Sequence, residues 1–389
     1  MLATTNRGRP IAYLDSAASA QKPRAVLDAM MGYYTGSYAN IHRGVYQASE
    51  QASVRYDGTR DTVARFMGGV DPHEVIFVRG TTEAINLVAQ AWLRPTLRDG
   101  DWVLVTEMEH HANIVPWQLV GARTVPIPMR DDTTLDLDAA RVLLARQPRL
   151  LALAHASNAL GTIHPVAELA AMAREHGVPV LVDGAQGAVH LEVDPRALGV
   201  DFYCWSGHKV YGPTGVGVLW GKRELLEAMP PWQGGGDMID TVTFEQTTFA
   251  PLPAKFEAGT PDIGGVIGLD AALQWTMALD RPAVVRHEQE LFRLGAALLG
   301  DVDGVRLLSP LEHNVGILTF VVEGAHPHDV ASLLDQDGVC VRAGHHCAQP
   351  LHRRLGLPAT VRASLGAYSE AWELEALAAS LRRIREVFR

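Results

Sequence analysis

Two neighbouring stretches decide how this chain folds: VLVDGAQ at residues 180–186 and DFYCWSGHKVYGPTGVGVLW at residues 201–220. Each carries a short run of Val, Leu or aromatic residues that breaks into small and polar ones. Uncharged runs of this length, bounded by glycine, read as strands covered on both faces. Pro179–Val182, Phe202–Trp205 and Val216–Trp220 are therefore expected strands. Working outward, the same texture returns at Val75–Val78, Trp102–Val105 and Leu150–Ala154. Between the strands, Thr82–Trp92 and Pro165–His176 have helical patterns, the second with proline at its start and Gly177 past its end. Strand alternating with helix means an α/β architecture, a mostly parallel sheet covered by helices on both sides. Such sheets bind ligands at the carboxyl ends of their strands. The chemistry is expected on the loops that follow them.

Past about residue 280 the texture changes. Arg286–Leu299 and Trp372–Val387 read as amphipathic helices, and Ile317–Val322, Val339–Arg342 and Val361–Ser364 as short strands. These predict a smaller α+β domain, with the N-terminal segment packed against it.

Composition narrows the function. The 389 residues carry 34 Lys and Arg against 44 Asp and Glu, a formal charge of −10. That argues against nucleic acid, whose phosphates demand a basic surface. The three cysteines, Cys204, Cys340 and Cys347, form no disulfide framework and show no zinc-site spacing, so no metal is expected. The opening MLATTNRGRPIAYLD has no apolar signal-peptide core, and no apolar run approaches the roughly eighteen residues of a membrane span. A cytoplasmic enzyme is expected, without membrane association.

Six groups of residues carry candidate chemistry. Lys209 lies on a post-strand loop beside Ser206, Gly207 and His208, where a lysine can form an imine with an aldehyde cofactor; taken alone, a solvated loop lysine is the simpler reading. Asp183 ends a buried strand, where a carboxylate costs free energy unless a cation such as a protonated pyridine nitrogen meets it; a helix cap is the alternative. Thr81 and Thr82 begin a helix, a place for a phosphate or for a plain capping box. His110 and His111 follow a strand, and one imidazole is expected to stack on a cofactor ring and move protons. Cys347 sits in a polar, glycine-containing loop with Arg342, His345 and His346, surroundings that favour a thiolate if the imidazoles are close or charged. Cys204 and Cys340, by contrast, read as small buried hydrophobes. Arg342 and Arg362 are candidates to hold a carboxylate, with surface residues as the alternative.

The ordered set of motifs LDSAASAQKP, IHRGVY, RGTTEAINLVAQ, EHHANIVPWQ, SNALGT, VDGAQ, DFYCWSGHKVYGPTGVG, WQGGGDMI, FEAGTP, RAGHHCAQP and VRASLGAY covers almost the whole chain. It resembles the SufS-type, or group II, cysteine desulfurases of the class V aminotransferase-like group, pyridoxal-phosphate enzymes of fold type I. The resemblance implies a seven-stranded, mostly parallel sheet in a large domain at residues 17–279. Residues 1–16 and 280–389 would form the small domain that carries the cysteine loop. It implies that Lys209 holds pyridoxal 5'-phosphate, Asp183 pairs with its ring nitrogen, Gln186 bonds its ring hydroxyl and His110 stacks on the ring. Thr82, Ser206 and His208 would bind the phosphate, and Thr260 would reach the phosphate of the other subunit of a homodimer. Asn158 and Arg362 would hold the substrate carboxylate, with Arg342 lining the site. Cys347 would take sulfur from L-cysteine as a persulfide, release L-alanine, and pass the sulfur to a small SufE- or SufU-type acceptor for iron–sulfur assembly. Selenocysteine lyase or cysteine sulfinate desulfinase activity would use the same residues. A cofactor-binding scaffold without turnover would leave Lys209 and Cys347 together without a purpose. The segment before LDSAAS is shorter than is usual in the family.

Overall fold

The uncharged runs around Asp183 and Lys209 pair with one another as their composition dictates. In the computed structural model, which describes residues 5–6 and 8–388, seven strands form one sheet. Its order is Val75–Val78, Gly217–Gly221, Phe202–Ser206, Val180–Asp183, Leu150–Ala154, Trp102–Thr106, Arg123–Ile127. Gly217–Gly221 runs antiparallel to both neighbours, and the other ladders are parallel. Successive residues enter opposite cores: Leu151, Leu153 and Val182 join one apolar cluster, and Leu150, Ala152 and Leu181 the other. That alternation is what helices on both faces require.

All six expected strands are present, with ends shifted by a residue or so. Thr106, Asp183 and Ser206 belong to strand ends rather than loops. The seventh strand, Arg123–Ile127, escapes the sequence pattern because Pro126 and Pro128 interrupt its apolar residues; it lies at the sheet's edge, partly exposed, where Pro126 is tolerated. The expected helix Thr82–Trp92 is an α-helix over Thr81–Leu87 that widens into a π-helical turn over Val88–Leu93, short of Pro95. The helix Val166–Glu175 ends as expected, with Gly177 at φ +65°.

A second sheet orders Val305–Leu307, Ile317–Val322, Thr360–Ser364 and Arg342–Gly344, all antiparallel. The expected single strand Val339–Arg342 is split. Val339–Cys340 pairs in parallel with Ala12–Tyr13, and Arg342–Gly344 turns to pair with Thr360–Ser364. Ala12 and Leu14 enter an apolar cluster with Leu291, Phe320, Leu334 and Leu377, and the Tyr13 amide donates to Glu373 Oε1 at 2.7 Å. This packing ties the N-terminal segment to the C-terminal helices Arg281–Gly300 and Ala371–Val387. Residues 1–4 of that segment, and 7, lie outside the described residues. Among the described residues no helix is long and apolar enough to cross a membrane.

One close approach sets the geometry of the first sheet's edge. A Cβ on Gly217 would stand 2.6 Å from Gly80 Cα and 2.7 Å from the Trp205 carbonyl oxygen. Gly80 in turn precedes the helix Thr81–Leu87 with φ +155°. The two glycines let the start of that helix press against Ser206. Gly217→Ala should therefore destabilise the protein by about 2 kcal/mol through overpacking against backbone. Thermal unfolding checks this: the midpoint should fall by a few degrees, and an unchanged midpoint would contradict the packing argument.

Candidate active site

The strand ends described above converge on a cavity of about 190 Å³. Eight of the expected residues line it: Thr82, His110, Asn158, Asp183, Gln186, Ser206, His208 and Lys209. They come from five different strand–loop junctions, so only the fold brings them together.

Asp183 is buried at its strand end, and Oδ1 accepts the Ala185 amide at 2.9 Å. Burial raises its pKa, which that amide and Lys209 partly offset. Lys209 shows the converse. Burial lowers its ammonium to about 8, against the pull of Asp183. A buried carboxylate thus shares a cavity with an amine that is still mostly charged at pH 7 but gives up its proton far more readily than an ordinary lysine. Gln186 is buried too; Nε2 donates to the Ala17 carbonyl at 2.8 Å, and Oε1 has no partner. Such an orphan, beside a carboxylate short of a cation, fits a polar ring in the cavity. An amine that gives up its proton readily, in the same cavity as that carboxylate, fits an aldehyde-bearing pyridine. The site therefore suits pyridoxal phosphate.

The two histidines separate as their backbone directs. His110 lines the cavity, and its Nδ1 accepts the Ala112 amide at 3.0 Å, which puts the ring proton on Nε2. Burial lowers His110 to about 4, so the ring is neutral at pH 7. His111 turns away: its amide donates to the Cys347 carbonyl at 2.7 Å, and its Nε2 accepts the Gln349 amide at 3.0 Å. Glu109, just before them, is a buried acid raised to about 7 by burial. It accepts from Asn113 Nδ2 and Thr106 Oγ1, both at 2.7 Å, and from the Ala154 amide at 2.9 Å, joining two strand ends beneath His110.

At the helix start, Thr81 is buried and Thr82 exposed to the cavity side. The Thr81 amide donates to Ser206 Oγ at 2.9 Å, and the two hydroxyls lie 2.8 Å apart. His208 is lowered to about 4 by burial, with Lys209 and Lys22 adding to it.

Cys347 is exposed, on a loop where both it and His346 adopt positive φ, +56° and +49°. Asn158 Nδ2 donates to the His346 carbonyl at 2.6 Å, so one loop contact comes from a cavity residue. His346 itself is buried against Thr360, Nε2 to Oγ1 3.0 Å, and burial with nearby Arg362 pushes its ring down to about 2. The expectation that His346 would lend positive charge to the thiol is therefore corrected: its ring is neutral. Cys204 is fully buried and its thiol is pushed up by burial; Cys340 is half-buried and shifted the same way.

Arg342 and Arg362 are register partners on adjacent strands and share one carboxylate that sequence reasoning missed, Asp15. Arg362 is buried, its Nη1 donating to the Asn158 carbonyl at 2.7 Å. Thr260 does not line the cavity. It is exposed in a separate groove with Arg79, Gln233 and Asp262. The one available signal for Asp15 was its position after the apolar pair Tyr13–Leu14, a strand-end acid like Asp183.

The aminotransferase class-V family matches residues 12–377. The chain is 49% identical over 385 residues to the cysteine desulfurase of Klebsiella pneumoniae (strain 342), covering 98% of this chain and 95% of that protein. It is 48% identical over 380 residues to the probable cysteine desulfurase of Vibrio cholerae serotype O1, covering 97% and 94%. The crystal structure of the cysteine desulfurase CsdA (S-sulfonic acid) from Escherichia coli superposes with a TM-score of 0.92 at 41% identity, covering 97% of this chain and 96% of that one.

The Lys209 amine gives a pH test. With its pKa lowered to about 8, the reactive neutral form gains as pH rises and is complete above that value. The rate at which cofactor-free protein captures added pyridoxal phosphate, followed by absorbance, should climb about tenfold per pH unit below pH 8 and then level off. A climb that continues to pH 10 would mean that burial does not depress Lys209.

Proposed function

The chain belongs to the aminotransferase class-V family, and from that premise we propose that it is a pyridoxal-phosphate-dependent cysteine desulfurase converting L-cysteine to L-alanine. The observation that carries this reading is the seat of Cys347. Its exposed thiol rides on a loop bonded to Asn158, which lines the Lys209 cavity, and to His111, the neighbour of His110. A transaminase would have no use for such a loop.

When bound, pyridoxal phosphate supplies an aldehyde for the substrate amine and a ring that draws electrons from the α-carbon. Lys209 would hold it, and its freed amine would take the substrate α-proton and give it back to the α-carbon before alanine leaves. Asp183 would pair with the ring nitrogen and Gln186 with the ring hydroxyl, and neutral His110 would lie against the ring with its Nε2 proton available for transfer. Thr82, Ser206 and His208 would hold the phosphate. Asn158 and Arg362 orient the substrate carboxylate, and Arg342 lines the site beside Cys347. The Cys347 thiolate attacks the substrate sulfur, the carbon–sulfur bond breaks, and the bonding electrons return to carbon, which takes up a proton. Cys347 keeps the sulfur as a persulfide and alanine leaves.

Within the family the SufS-type, group II reading rests on GHHCA at residues 344–348 and the compact loop that carries it. The product persulfide would pass to a small SufE- or SufU-type acceptor for iron–sulfur assembly in the cytoplasm. A homodimer is supported by Thr260, which is exposed away from this chain's own cavity and so free to serve a second copy's phosphate. The separate apolar cluster uniting Ala12 and Leu14 with the C-terminal helices supports a small unit of residues 1–16 and 280–389 beside a large one of 17–279.

Purified protein incubated with L-cysteine should release alanine, and dithiothreitol should raise the yield by clearing the persulfide. Cys347→Ala should lose on the order of a hundredfold or more of that activity while still binding cofactor. A Cys347→Ala protein as active on cysteine as the parent would sink the assignment.

A further inference from the structure

Asp15 has no step in the mechanism above, yet it touches both arginines of the site. Its Oδ2 accepts from Arg342 Nη2 at 2.8 Å, and Oδ1 accepts from Arg342 Nε at 3.2 Å and Arg362 Nη2 at 3.3 Å. The two arginines stand opposite one another on neighbouring antiparallel strands, where like charges repel. Both lie within electrostatic range of Cys347 and of Lys209. Among the described residues the buried Arg362 Nε has no partner, so its donors are not all spent on Asp15 and Asn158. With Lys209 taken up by the cofactor, the fixed charges beside the thiol amount to two guanidinium groups less one carboxylate. One net positive charge remains, enough for one anion.

We propose that Asp15 is a specificity-determining residue: it cancels one guanidinium charge beside Cys347 and so favours substrates with a thiol side chain over those with an anionic one, such as a sulfinate. The inference rests on the reading of Arg362 as holder of the substrate carboxylate. A substrate that brings a second fixed negative charge then finds no net positive charge left for it. A purely structural Asp15, present only to relieve the two arginines, would affect both kinds of substrate alike.

Two readouts separate these. The first is kcat/KM for alanine release from cysteine sulfinate relative to cysteine, in the parent and in Asp15→Asn, which keeps the shape and one acceptor oxygen but drops the charge. The ratio should rise about threefold to tenfold, the effect of one nearby unit charge at a partly solvated site. An equal loss on both substrates overturns the proposal. The second needs no turnover: the rate of alkylation of Cys347 by anionic iodoacetate relative to neutral iodoacetamide, read by mass spectrometry on the cofactor-loaded protein. Asp15→Asn should raise that ratio about threefold, and an unchanged ratio overturns the proposal. Asp15→Glu, which keeps the charge, should stay near the parent in both; if it shifts as Asp15→Asn does, geometry rather than charge is at work and the proposal falls. Should Asp15→Asn not fold, Arg342→Met tests the same balance from the other side and should lower the alkylation ratio; no change there overturns the proposal. If the parent releases no alanine from cysteine, the desulfurase reading has failed by itself, and the alkylation ratio still decides the charge role of Asp15.

Discussion

A carboxylate at the end of a strand buried on both faces is the constraint around which this molecule is arranged. Asp183 has one amide bond to its side chain and an acidity weakened by burial. Leaving it so costs free energy, and the surrounding residues are placed where that cost becomes useful. Lys209 lies in the same cavity with its charge weakened by the same burial. Each group is ill at ease alone, and both are suited to a ring bearing a basic nitrogen and an aldehyde. The sheet carries the two at the ends of neighbouring strands, with the Gly80–Gly217 contact keeping the start of the helix Thr81–Leu87 against Ser206.

Much of this was legible in the residues. Central strands announce themselves because burial on both faces excludes charge, and that exclusion is a one-dimensional signal. Asp183 and Lys209 stood out because they interrupt such runs. What stayed hidden follows from the same logic. Arg123–Ile127 is an edge strand, largely uncovered and broken by Pro126, so its sequence lacks the signal of the central strands. The break of Val339–Arg342 between two sheets depends on Ala12–Tyr13, over three hundred residues away, which local pattern cannot report. Asp15 acts through Arg342 and Arg362, and Glu109 reaches the Ala154 amide, partners distant in sequence that only folding shows. His346 was misjudged because a histidine in a polar motif looks exposed, whereas its ring is folded inward onto Thr360.

The second sheet contributes to the site without owning the cavity. Thr360–Ser364 carries Arg362 inward, while Arg342 on the next strand stays half exposed. Asn158 receives Arg362 at its carbonyl and gives its amide to the Cys347 loop. One residue past the strand Leu150–Ala154 is thus tied, by its backbone carbonyl and its side-chain amide, to both Arg362 and the loop of Cys347. A displacement of the loop therefore pulls on the residue that Arg362 also holds.

The backbone beneath the thiol carries a further consequence. His346 and Cys347 occupy consecutive left-handed conformations. For a residue with a Cβ this costs about 1 kcal/mol or more, a penalty that glycine escapes. Glycine at position 347 would thus be the better choice for stability alone, and mutation that drifts under that pressure erodes the cysteine first. A threonine or valine there would meet a still higher conformational barrier. The cysteine at position 347 thus stands against the preference of its own backbone, so that removing its side chain altogether would relax the loop it rides on.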